Sequence, residues 1–337
     1  MEVAASEVTR ALNVYGLDLR VEGDWPEVIE SVAKDFSWFS APVAAVGSER
    51  IVVERRAPDF DSLGPLTASF VTPRNVVYAD GDRQVVDYFG RALSVVDRRT
   101  GTVTVQGEDA HLVHEAAYLY LLSRVGTHLD RRGLTRLHAL ALSGPQGGVT
   151  VLLPSGGGKS TLALRALRDE KVKILSEDTP LLDRQGTLHP FPLRIGVNAT
   201  DAETLPAERV RRIERMEFHP KLVLDLDAFA DRIETIPRPL RHIVIGRRSL
   251  GRTASLYPLP RRAASGPMFR EAVVGVGVYQ GMEFVPQRGM RDVAGKAGIA
   301  ASRAACCAAG LARARVWNLT LGRNHDANWE ALSALLR

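Results

Sequence analysis

Residues 152–167, LLPSGGGKSTLALRAL, constrain the chain more than any other stretch. Three consecutive glycines let backbone N–H groups turn inward around an anion. A lysine placed directly after them can reach the β- and γ-phosphates of a nucleotide, and the next hydroxyl can bind Mg²⁺. Gly156, Gly157 and Gly158 supply the bend here, Lys159 the charge and Ser160 the hydroxyl. Thr161 opens the following helix, whose N-terminus adds its positive dipole. The flanks match this use: VTVLL (149–153) reads as a buried strand and TLALRALRD (161–169) as a helix. Ser155 through Thr161 are therefore the candidate nucleotide-binding residues. Position 153, where such loops commonly begin with glycine, is Leu, and Pro154 can replace that glycine in shaping the turn.

A phosphate loop implies nucleotide binding only, so the nearby titratable residues decide the chemistry. The next strand, VKILS (172–176), ends in Glu177 and Asp178, the latter 19 residues after Lys159. Strand, loop, helix and strand at this spacing form a βαβ unit, which argues for an α/β core. Carboxylates at that strand end stand where open α/β sheets bind ligands. One can help hold Mg²⁺ with Ser160, and the other can take a proton from an attacking hydroxyl. The bland alternative is a solvated turn. His138, 21 residues before Lys159 in the apolar run RLHALAL (136–142), is read as lying on a strand beside the loop strand. Alone, such a histidine is more often a satisfied core residue than a catalyst.

At 337 residues the chain has the length of about two domains, and it is 45% hydrophobic, enough for real cores. The first third reads as a mixed α/β or mainly β module. NVYGLDLRVEG (13–23) alternates like a strand, and WPEVIESVAKDFSWF (25–39) has helical spacing with Pro26 at its first turn. DG at 80–81 and TG at 100–101 separate alternating runs, as β-hairpins require. A helix over about 108–130 closes the module, and RRG at 131–133 marks the boundary, giving domains 1–133 and 134–337. Further strands are expected at 221–226, 241–246 and 315–322, and helices at 266–280, 290–312 and 325–336.

Net charge is +5, and only six of the 44 basic residues are lysines. That charge is too mild for a nucleic-acid protein but suits a phosphorylated ligand. Adjacent Cys306 and Cys307 are expected to be small, buried, reduced residues. The N-terminus lacks a signal-peptide core and no run is long enough to span a membrane, so a soluble cytoplasmic protein is expected. His111, His114 and Glu115 are three and four apart on the 108–130 helix, but a surface pair is favoured over a metal site. ERVRRIER (208–215), followed by Arg238, Arg241, Arg247, Arg248 and Arg252, is read as a solvated helix face with a Glu208–Arg212 pair. The functional alternative is that some of these arginines bind an acidic substrate or the γ-phosphate. LSGPQ (142–146) precedes Lys159, so the chain is not an ABC-type ATPase.

The order LHALAL, PSGGGKSTLAL, LSEDTPLL resembles the HPr kinase/phosphorylase family and its relatives, over about residues 134–200. The resemblance implies an α/β fold with a phosphoenolpyruvate-carboxykinase-like P-loop core, here joined to a mixed α/β N-terminal accessory domain. It implies transfer of the ATP γ-phosphoryl group to a hydroxyl. Lys159 and Ser160 match that family's phosphate and Mg²⁺ residues, and Asp178 its general base. His138 lies near Asp178, and Glu177 takes the place of the family's first Asp. Departures from the family are Thr161, where its bifunctional member has Glu, and HPFPLRIGVN (189–198), which offers Arg194 and no carboxylate. They point away from the protein HPr as acceptor. The expected acceptor is instead Ser or Thr of a peptide or protein, such as a ribosomal peptide precursor, or a small hydroxylated molecule. Arg194 is a candidate phosphate or substrate residue, and assembly into a homo-oligomer would accord with the family. The rival expectation is a nucleotide-dependent regulatory or binding module that transfers nothing.

Overall fold

The computed structural model describes residues 8–214, 220–274 and 290–337, and the chain is mixed α/β. It divides into two units, residues 1–125 with 202–223, and residues 126–201 with 224–337. The break expected at 133 thus differs from this division by about two helical turns and by the 202–223 excursion.

In the first unit, nine strands form one sheet. They are β1 (Val8–Val14), β2 (Leu17–Gly23), β3 (Ser40–Ala41), β4 (Glu49–Arg55), β5 (Ala68–Val71), β6 (Val76–Asp80), β7 (Arg83–Asp87), β8 (Ala92–Asp97) and β9 (Thr102–Gly107). Their order is β3-β1-β2-β4-β9-β8-β7-β6-β5, and β5 to β9 form an antiparallel meander. The run expected as one strand over 13–23 is a hairpin instead. Tyr15 (φ 53°) and Gly16 (φ 84°) reverse the chain, and the Asn13 side chain accepts from the Gly16 N–H. Period-2 alternation continues across so short a turn, which hides it from a pattern reading. Helix α1 (Pro26–Asp35) has Pro26 in its first turn and buries Val28, Ile29 and Val32. The longer helix is α2 (Ala110–Arg131).

His114 is not a surface residue. It is buried on α2 with its Nε2 2.9 Å from Asp35 Oδ2, while Arg211 donates to Asp35 Oδ1 at 2.7 Å. Among the described residues no group of His, Cys, Asp and Glu side chains converges as a metal site. The 208–214 stretch is not a helix either. It is a short 3₁₀ turn leading into β17 (Val210–Ile213), where Arg212 pairs with Glu214 at 2.7 Å. Alternation puts Arg211 and Arg212 on opposite faces of that strand. Arg215 lies outside the described residues.

In the second unit the strands are β10 (Thr135–Arg136), β11 (Leu140–Gly144), β12 (Gly147–Leu152), β13 (Lys173–Ser176), β14 (Leu181–Leu182), β15 (Thr187–His189), β16 (Arg194–Val197), β19 (Arg238–Arg248), β20 (Ser255–Leu259) and β21 (Arg315–Leu321). β18 (Lys221–Asp225) returns the chain to this unit. The helices are α3 (Lys159–Ala166), α4 (Ala199–Ala202), α5 (Ser265–Phe269), α6 (Met290–Arg313) and α7 (His325–Ser333). The helix expected over 266–280 is α5 followed by a π-turn, Arg270–Val274, and residues 275–280 lie outside the described residues.

The main sheet runs β13-β11-β12-β19-β21-β20. β12, β19 and β21 are parallel neighbours. β13 points the same way as β12, but the antiparallel β11 lies between them. β11 and β12 are buried at every position, as strands covered on both faces must be. On one face Ala141, Leu152, Leu175 and Ile243 pack with Met268, Cys306 and Cys307. Both cysteines are buried free thiols, and burial pushes both upward, Cys307 to about 12.

Candidate active site

Strand polarity assembles the site. The C-terminal ends of the parallel strands β12, β19 and β21, and of β13, lie at one edge of the sheet, where α/β folds bind ligands. β12 leads into the glycine loop, β13 into Glu177 and Asp178, β19 ends at Arg247 and Arg248, and β21 runs into Gly322. β11 runs the other way, so its start comes to the same edge. His138 lies in a bend just before β11, not on a strand.

The loop shape follows from its residues. The N–H of Gly157 donates to Pro154 O at 2.9 Å, closing a tight turn in which Gly156 takes φ 71°. A Cβ on Gly157 would lie 2.7 Å from that same carbonyl, so only glycine fits. Gly158, at φ 111°, is the N-cap of α3 and makes no side-chain cap hydrogen bond. The first-turn N–H groups of α3 have no intrahelical acceptors. Leu153 stands where glycine is common because its side chain fills the space over Gly246 of β19: a Cβ there would come 2.4 Å from Leu153 Cδ2.

Lys159 is buried. Its Nζ donates to Leu153 O at 3.0 Å and lies 2.9 Å from His138 Nε2 and 3.4 Å from Asp178 Oδ1. His138 Nε2 is also 3.2 Å from Asp178 Oδ1, and its Nδ1 is 3.0 Å from Glu271 Oε2. Glu271, in the π-turn, is 4% exposed and is held in turn by Arg270 at 2.7 Å. Backbone bonds bind these segments together: Leu137 N–H to Pro180 O, Ala139 N–H to Asp178 O and His138 N–H to Glu271 O. Beside them Ser160 Oγ donates to the buried Glu177 carboxylate at 2.6 Å. Asp178 is the open member, its side chain 47% exposed.

One ring nitrogen of His138 faces two claims. A neutral imidazole would accept from Lys159 at Nε2 while donating from Nδ1 to Glu271. An imidazolium would donate to both Asp178 and Glu271 and leave Lys159 without that acceptor. Burial pushes the imidazolium down, but hydrogen bonds to Asp178 and Glu271, with the Asp178 charge, outweigh it and the opposing Lys159, holding His138 up at about 9. Two carboxylates against one ammonium decide the balance, and the charged form prevails at neutral pH. Glu271, opposed by its own burial, is drawn below the usual carboxylate range by His138 and Arg270.

The sequence-derived candidates thus fall in three places. Lys159, His138 and Asp178 meet in one cluster, and Ser160 and Glu177 meet beside it. Ser155, Gly156, Gly157, Gly158 and Thr161 form the loop and first helical turn. Arg194 opens β16, a strand packed against α3, and is half-buried. Glu271 escapes a sequence reading. It lies 133 residues from His138, and the turn that presents it has no residue signature. Arg248 was only one of a run of arginines in the sequence; here its Nη1 donates to Gly156 O at 3.4 Å. No protein-family model matches the chain, and no curated protein matches it.

Proposed function

We propose that the chain is an ATP- and Mg²⁺-dependent kinase that transfers the γ-phosphoryl group to a hydroxyl, on a P-loop core of the phosphoenolpyruvate-carboxykinase type. The observation that carries this reading is the meeting of Lys159 and Ser160 of the glycine loop with Asp178, His138 and Glu177. A nucleotide switch needs the loop; it does not need a half-exposed carboxylate beside the lysine with a buried imidazolium behind it.

The loop amides, the α3 N-terminus and Lys159 would neutralise charge developing on the β- and γ-phosphates. An acceptor hydroxyl would give its proton to Asp178 as its oxygen bonds to the γ-phosphorus. The bond from that phosphorus to the bridging oxygen breaks, and its electron pair leaves with ADP. His138 keeps Asp178 oriented, and Glu271 keeps His138 charged. Ser160 and Glu177 fit Mg²⁺: two oxygen donors already 2.6 Å apart are the sparse protein share this ion takes when phosphates supply the rest. Bound there, the ion would screen the phosphate oxygens. The acceptor would be Ser or Thr of a peptide or protein, or a small hydroxylated molecule.

The test is to incubate the chain with ATP, Mg²⁺ and panels of peptides and small alcohols, and to look for acceptors heavier by one HPO₃. Asp178→Asn should abolish that gain while leaving ATP affinity within about threefold. Transfer that survives in Asp178→Asn removes Asp178 as the base. ATP binding with no transfer to any acceptor would favour the nucleotide-dependent regulatory module.

A further inference from the structure

Two arginines of β19 have structural partners. Arg238 pairs with Glu234 at 2.6 Å, and Arg248 donates to the Gly156 carbonyl. Arg247 differs from both: it is exposed, and among the described residues no ion pair involves it. Side chains alternate along a strand, so Arg247 shares a face of β19 with Ile243 and Ile245. That face packs into the core that also holds Leu137, Ala139 and Ala272. Leu137 and Ala139 flank His138, and Ala272 follows Glu271. Arg247 therefore stands on the side of the sheet that holds the carboxylate–histidine cluster, at the same C-terminal strand edge.

Register gives Arg247 a companion. It is paired with Thr320 of the parallel β21, and Thr320 with Ser255 of the antiparallel β20, so the three form one polar row across the strand ends. The buried Asn318 donates from Nδ2 to Thr320 Oγ1 at 3.2 Å. A hydroxyl that accepts in this way still has its own hydrogen to donate. An exposed guanidinium beside a hydroxyl donor is a fitting seat for a carboxylate.

Asp178 and Arg247 are separated by three strand spacings, β13 to β11 to β12 to β19, or about 14 Å. An extended peptide advances about 3.3 Å per residue, so about four residues cover that distance. The span favours a peptide over a small alcohol. We infer that the acceptor is a peptide segment carrying Asp or Glu about four residues from the Ser or Thr that is phosphorylated, with that carboxylate held by Arg247 and Thr320. The inference rests on the kinase reading and names its substrate class.

A degenerate peptide library with a fixed central Ser tests this. It is incubated with the full chain, ATP and Mg²⁺, and the products heavier by one HPO₃ are sequenced. Asp and Glu should be enriched about fivefold over Ala at a position three to five residues from the Ser, on one side of it. The ratio of kcat/KM for the best acidic peptide to that for its Gln counterpart should fall from about fivefold to near one in Arg247→Gln. Arg247→Glu should reverse the preference to Lys or Arg at that position, and because Arg247 is exposed neither variant disturbs the core. Transfer without acidic enrichment, or a ratio unchanged in Arg247→Gln, overturns the assignment and leaves the kinase reading standing. Transfer to small alcohols but to no peptide overturns the substrate class alone, and transfer to neither removes the kinase reading with it.

Discussion

The sharpest physical consequence of the site concerns Glu271 and can be tested without any acceptor. His138 is held at about 9 against an ordinary 6.5, which corresponds to about 3 kcal/mol of coupling between its proton and the folded state. Its folded pKa lies above the unfolded one. The stabilisation is therefore complete below pH 6.5 and is lost as pH rises through about 9. Glu271→Gln keeps the side-chain shape and an acceptor for Nδ1–H but removes one of the two charges facing the imidazolium; Asp178 and Lys159 remain. Urea unfolding between pH 6 and 10 (range chosen around these values, with EDTA present) should show the parent chain losing stability more steeply than the variant, by about 1–2 kcal/mol across the window. The raised thiol pKa values of Cys306 and Cys307 act in the same sense, since each thiol keeps its proton longer in the folded state, but they do so equally in both proteins and cancel in the comparison. Glu271 itself is drawn downward, so its own titration falls in acid, outside this window. Nitrogen NMR of His138 reads the same proton directly. Superimposable pH profiles for the two proteins would refute the reasoning, since Glu271 would then contribute nothing to holding the imidazolium.

Three further outcomes are expected. Lys159→Ala should lower both ATP affinity and turnover, ATP affinity by at least about tenfold, and calorimetry showing unchanged affinity would contradict the phosphate role. Gly157→Ala drives a Cβ to 2.7 Å from Pro154 O and should abolish nucleotide binding while the melting temperature falls by only a few degrees, because the loop lies outside the core. A fully native loop in that variant, judged by ATP affinity, would show the turn to be adaptable. Asp35→Ala strands Arg211 and His114 without their buried carboxylate and should cost about 3 kcal/mol in chemical unfolding. A loss below about 1 kcal/mol would mean that solvent reaches the cluster.

What the sequence made legible follows the range of the interactions involved. The strand–loop–helix–strand unit is local: its glycines, lysine and flanking apolar runs lie within 30 residues, and β12, α3 and β13 occur where those runs predict. The insertion of β11 between β12 and β13 is a pairing choice that no run of residues announces. The 208–214 stretch misled because Glu208 and Arg212 fit helical spacing, while it pairs as a strand with β18 and its Arg211 bonds to Asp35, 176 residues away. Glu271 was invisible for the same reason.

The crowded nitrogen of His138 has a consequence for how a ligand arrives. In this structure Lys159 is held by the Leu153 carbonyl and the Asp178 carboxylate, close against the His138 ring, so the loop holds its cation folded inward. On the proposed function, a phosphate group would draw Lys159 out of that set, and the departure would leave His138 to Asp178 and Glu271 alone. Ligand binding at this loop is then an exchange of partners rather than the filling of a gap. The same movement that would deliver positive charge to the phosphate would tighten the hold of the imidazolium on the carboxylate beside it.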